Sequence, residues 1–119
     1  MTEELTLTEW LDSTAEKRSA LLAYASSKIP TDTGMRQLDV STALENGQDA
    51  GDLLADAEVY LSHAFATAIL KARKKHDAQT AKAVAKSDTA DLNRLRDGLA
   101  VLYRTIQDRR FSLMNLNRS

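Results

Sequence analysis

Apolar side chains recur every three or four positions along three stretches of the chain, the mark of helices that bury one face. In the first, Trp10, Leu11, Ala15, Leu21, Leu22, Ala25 and Ile29 form the stripe. Thr6 or Thr8 can cap its start, and Glu9 suits the positive end of the helix dipole. Pro30 stops it, because the residue before a proline avoids the α region. The stretch TDTG at 31–34 reads as a turn, and Met35, Leu38 and Leu44 allow a short amphipathic helix that Asn46-Gly47 closes. A second long helix opens at Asp49, with Ala50, Leu54, Ala57, Leu61, Ala64 and Ala68 as a seam of mostly small residues. A third opens near Ser87 or Asp88. Its seam runs through Leu92, Leu95, Leu99, Leu102, Ile106, Arg109, Leu113 and Leu116 in alternating steps of three and four, a left-handed coiled-coil pattern with one charged member.

The pattern predicts an all-α fold in one domain. Residues 49–76 and 89–116 form the arms of a long antiparallel, coiled-coil-like hairpin, and residues 77–88 form its elbow. An additional N-terminal helix occupies 1–30, and a linker at 31–48 holds the short helix. At 1.5 Å of rise per residue each arm would extend about 40 Å. Trp10, Leu21, Tyr24, Tyr60, Phe65, Ile69, Val101, Tyr103 and Phe111 supply more apolar surface than one seam covers, so the hairpin is expected to complete a helical bundle by pairing with a second copy.

Composition narrows the setting. One proline and four glycines agree with helix, and the absence of cysteine excludes a disulfide framework, a thiolate metal site and a cysteine nucleophile, and suits a reducing compartment. The opening MTEELTLTEW is acidic where a signal peptide is basic, and no uninterrupted apolar run approaches the roughly 20 residues that span a bilayer. The expectation is a cytoplasmic protein with no membrane partner.

A net charge of -1 conceals a divided chain. Residues 1–70 carry 4 basic and 12 acidic side chains, and residues 71–119 carry 12 basic and 5 acidic. Acidic helix starts and basic helix ends account for part of this through the helix dipole. With the elbow centred between Asp77 and Asp88, Asp56 would face Arg109, forming a structural ion pair on the seam. At the elbow Lys71 would face Arg94, and Lys71, Arg73, Lys74, Lys75, Lys82, Lys86, Arg94 and Arg96 would gather into a basic cluster. Such a cluster is either a solvated helix end or a contact for nucleic acid or an acidic partner; with six aromatic residues in the chain it would hold phosphates rather than read bases. The acidic N-terminal half offers another reading, a DNA-like negative face of the kind that inhibits nucleic-acid enzymes.

Catalytic chemistry finds little support. The two histidines, His63 and His76, lack the imidazole or carboxylate at i+3 or i+4 that a helical metal site uses. Asp56, Tyr60 and His63 share a helix face and form the best acid-base set. There is no GxxxxGK[ST] loop, GxSxG elbow or HExxH pair. The expectation is a protein that is not an enzyme and takes no metal or cofactor. RRFS at 109–112 resembles a basophilic kinase site, but two of its residues fall on or beside the seam.

The stretches LLADAEVYLSHAFATAI (53–69) and TADLNRLRDGLAVLYRTIQDRRFSLMN (89–115) resemble small helical-hairpin proteins encoded in phage and prophage replication and recombination neighbourhoods. Ala57-Glu58, the Leu92 to Ile106 seam and Arg110-Phe111-Ser112 carry the likeness, while residues 1–48 and the Asn-rich ending depart from it. The resemblance implies an accessory role around DNA metabolism without a catalytic residue. Two functions therefore stand as expectations: a non-enzymatic, oligomerising interaction protein with an unidentified protein partner, or an accessory protein that grips nucleic acid through 71–96.

Overall fold

A computed structural model describes residues 5–118, with side chains through residue 116; the first four residues of the acidic opening and the final serine lie outside the described residues. The fold is all-α. Helix α1 spans Leu7–Ser26, α2 Thr33–Ala72, α3 Ala78–Asp88 and α4 Ala90–Arg118. Contacts divide the chain into two compact units, one of Met1–Gly51 with Leu102–Ser119 and one of Asp52–Val101.

In the first unit, α1 starts just after Thr6, the first of the two caps the sequence offers, and ends at Ser26, short of the stop at Pro30. Thr6 Oγ1 accepts from the Glu9 backbone N–H at 3.2 Å and donates to the Glu9 carboxylate at 2.9 Å, so the cap and the third helical residue hold each other. Of the expected stripe Trp10 and Leu21 are buried, while Leu22 and Ile29 are exposed. Arg18, half-buried, folds back onto the Leu11 carbonyl at 2.8 Å and Thr14 Oγ1 at 3.2 Å.

The linker expected at 31–48, with a short helix of its own, does not exist as such. Asp32 caps α2 through its carboxylate to the Met35 N–H at 3.0 Å, and one 40-residue helix then runs through Asn46-Gly47 and past Asp49. Each helical glycine costs about 1 kcal/mol of propensity, and packing overrides that cost. A Cβ on Gly47 would lie 3.6 Å from Ile106, and one on Gly51 would lie 3.1 Å from the Tyr103 ring, so both glycines are places where α4 comes close. The same contacts show α2 and α4 packed antiparallel. The expected register would have put Gly51 opposite Met114, roughly three turns away from its actual neighbour.

The second unit explains the shift. The chain reverses over residues 73–77, earlier than the expected elbow, and residues 78–88 form α3. Asp77 caps α3, its carboxylate accepting from Thr80 N–H at 2.8 Å. At Thr89 the helical ladder is disturbed but not abandoned: the Thr89 N–H and hydroxyl both donate to Ala85 O, at 3.1 and 2.8 Å, and Asn93 N–H donates to Thr89 O at 2.9 Å. The arm after the reversal is therefore α3 followed by α4, longer than a sequence reading that starts it near Ser87. Leu53, Ala57, Ala72, Ala81, Ala85, Leu92 and Leu99 fill the interior of this unit.

By length and composition α2 is apolar enough to cross a membrane. An 18-residue window of it holds at most two charged side chains, and 11% of that window is buried. A reading that looks for uninterrupted apolar runs passes over it.

Candidate functional site

The basic residues singled out by sequence are distributed around the 73–77 reversal. The last turn of α2 winds on beyond Ala72, with Arg73 N–H donating to Ile69 O at 2.9 Å and His76 N–H to Ala72 O at 3.0 Å. Lys71, Arg73, Lys74 and Lys75 follow one another there, exposed, where the negative end of the helix dipole suits them. Lys82 and Lys86 stand four residues apart on the exposed side of α3. These six side chains make no ion pair or side-chain hydrogen bond among the described residues.

Arg94 and Arg96 differ from these six. Arg94 is held by Asp91 at 2.8 Å, and Arg96 by Asp97 at 2.8 Å and Asn93 at 2.9 Å. All of α3 intervenes between the reversal and these arginines, about 16 Å of helix. The Lys71–Arg94 juxtaposition expected from sequence is thus replaced by four cations at the turn, Lys82 and Lys86 along α3, and two separately paired arginines. Asp77, beside the lysines, has its carboxyl held below the usual range by the side-chain and backbone hydrogen bonds from Thr80.

The outer face of α2 in the same unit forms a shallow, open groove lined by Ala55, Glu58, Val59, Ser62 and His63. Val59 is 69% exposed and Leu70 68%. Asp56 and His63, the acid-base candidates, are also exposed. Among the described residues no group of three or more His, Cys, Asp or Glu is placed to hold a metal ion.

The one buried ionic cluster among the described residues lies in the first unit, and it corrects the expected Asp56–Arg109 pair. Arg109 turns to Asp39 instead, with Nη2 and Nε at 2.8 and 3.1 Å from Oδ2. The guanidinium also donates to Ser27 O at 2.7 Å, Tyr24 O at 3.1 Å and Lys28 O at 3.3 Å. These carbonyls form the C-terminus of α1, whose last turn contains no basic residue, so α4 supplies the cation that this end of the dipole favours. Tyr24 completes the cluster: its hydroxyl donates to Asp39 Oδ1 at 2.7 Å and its ring lies 4.5 Å from the guanidinium. Burial, and then the bond to Asp39, pushes the Tyr24 phenol well above its usual range. Every buried side-chain N or O among the described residues has a partner. The cluster therefore ties α1, α2 and α4 together.

Sequence reasoning missed Tyr24, Ser27 and Asp39. A signal was present for Asp39, an acid among the apolar residues of 35–40, but the stripe was drawn through Met35, Leu38 and Leu44, which are exposed at 54%, 65% and 43%. Arg109, the first residue of the RRFS motif, is buried, while Arg110 is half-buried. Compared with protein-family models, curated proteins and solved structures, the chain matches none.

Proposed function

We propose that this chain is a non-enzymatic, cytoplasmic interaction protein that works as a homo-oligomer, with the dimer as its basic form. The observation that supports this is uncovered surface. The chain exposes 8429 Å², about 2,000 Å² more than the roughly 6,400 Å² typical of a compact monomer of its mass. A standard protein interface buries about 1,600 Å² in total. The excess is also apolar in part, since Leu22, Leu38, Val59, Leu70, Val101 and Phe111 are all more than half exposed. The membrane-compatible composition of α2 has the same source: apolar side chains directed away from their own core. The absence of cysteine accords with the cytoplasm, and an accessory role beside phage or prophage replication proteins is the biological setting this reading adopts. Sedimentation at tens of micromolar should give a mass of two chains or a multiple of it; the mass of one chain would remove this reading.

A second reading rests on six cations, four at the 73–77 reversal and two along α3, that have no ion-pair partner among the described residues. Lys71, Arg73, Lys74, Lys75, Lys82 and Lys86 can neutralise several phosphates without reading sequence. Anisotropy of labelled DNA and RNA should then show log affinity falling with log salt at a slope of roughly -3 to -6. Replacing Lys74 and Lys75 with Gln should abolish binding while helicity and mass are unchanged. No binding at low salt would leave these residues as a solvated helix end.

A further inference from the structure

Along the exposed face of α2 in the second unit the side chains change character in order. Asp52 comes first, then Ala55 and Asp56, then Val59, Ser62, His63, Ala66 and Leu70, and, just past the last residue of α2, Arg73 and Lys74. At 100° per residue the positions through Arg73, whose N–H still donates to Ile69 O, fall within about one third of the helix circumference; Lys74 follows in the turn, and all are exposed. They lie opposite the side that buries Leu53, Ala57 and Ala72. The face is acidic at one end, small and apolar in the middle, and basic at the other.

The geometry points to a second copy of this chain as the occupant of that face, packed antiparallel about a two-fold axis between Ser62 and His63. This rests on the self-association reading above and adds its surface and register. Turning the helix end for end about that axis sets Asp52 against Arg73 of the second copy, with Lys74 and Asp56 beside them. It sets Ala55 against Leu70 and Val59 against Ala66, so each exposed apolar side chain meets a small one and the helices can approach closely. The ionic contact forms twice, once at each end. A parallel pairing would oppose acid to acid and base to base, which like-charge repulsion disfavours. The stripe from Asp52 to Arg73 extends about 31 Å, long enough for the two ends to be independent. An isologous interface requires this self-complementarity.

Because the chain has no cysteine, single-cysteine variants report the register directly. Ala55→Cys and Leu70→Cys, both at exposed positions, are each oxidised alone and as an equimolar mixture, with sedimentation mass and helicity measured on the same samples. In the antiparallel dimer Ala55 is about 22 Å along the axis from its own mate, beyond the Cα separation of about 7 Å that a disulfide tolerates, but it lies beside Leu70 of the other chain. The expected result is a two-chain mass for every sample, disulfide dimer in the mixture, and only background cross-linking in each variant alone. Cross-linking of each variant with itself would overturn the antiparallel register. A two-chain mass with no cross-link in any sample would overturn this face as the interface while leaving self-association in place. A one-chain mass for the unmodified protein would overturn both.

Discussion

At the scale of single residues, the Arg109 cluster shows how a charge can occupy a leucine seam. The guanidinium is satisfied by one carboxylate and three carbonyls, and the tyrosine ring covers it. Removing one partner strands the other in a dry place, which typically costs about 3–5 kcal/mol, whereas replacing both with apolar residues of similar volume costs far less. Asp39→Ala should therefore lose stability in that range by urea denaturation, and Asp39→Leu combined with Arg109→Met should recover much of the loss. Tyr24 adds a dependence on pH. Its folded pKa is raised, so its contribution is fully present below the unfolded value of about 10 and is lost as pH rises toward the folded value. Unfolding midpoints should fall above about pH 10, and Tyr24→Phe should flatten that limb. The seam position of Arg109 was legible in the sequence because period alone reveals it. Its partner was not, because Asp39 and Asp56 are chemically equivalent and register decides between them.

At the scale of elements, the differences between expectation and structure come from turn signals that packing overrode. Asn46-Gly47 has the composition of a turn, but no glycine among the described residues has a positive φ, and Gly47 and Gly51 face Ile106 and Tyr103. Gly98 differs, since a Cβ there would meet nothing within 4 Å. Gly98→Ala should therefore return close to the full helix propensity, about 0.5–1 kcal/mol. Gly51→Ala should return less, because the new methyl must displace the Tyr103 ring by a few tenths of an ångström. Thermal midpoints of the two variants, measured side by side, decide the matter. The caps show the same division. Thr6 and Asp77 each act on an amide three residues ahead, a local event that residue type announces. The sequence contains Asp77 as plainly as Thr6, but drawing the elbow across 77–88 concealed it, and an undetected α3 shifted the whole hairpin register.

At the scale of the whole molecule, the divided charge and the excess apolar surface were both legible from composition and period. The arrangement changes their meaning. Four cations lie at a reversal with two more along α3, two arginines are paired elsewhere on α4, and the exposed face of α2 runs from acidic residues through apolar ones toward the basic reversal. A protein of this size with 8429 Å² of accessible surface has less interior per residue than a compact monomer.

The sequence by itself determined that this protein is helical, that α1 begins at Thr6 or Thr8, most of the α4 seam up to Leu113, and how charge is divided along the chain. These follow from period, caps and composition, each set by residues within a turn or two of one another. Tertiary structure alone decided that α2 runs unbroken through Gly47, that α3 exists as a separate helix, that Arg109 takes Asp39, and which face of α2 is left uncovered. Those outcomes depend on contacts between residues far apart in the chain, where many carboxylates and apolar side chains compete for each place and only the packed register selects among them.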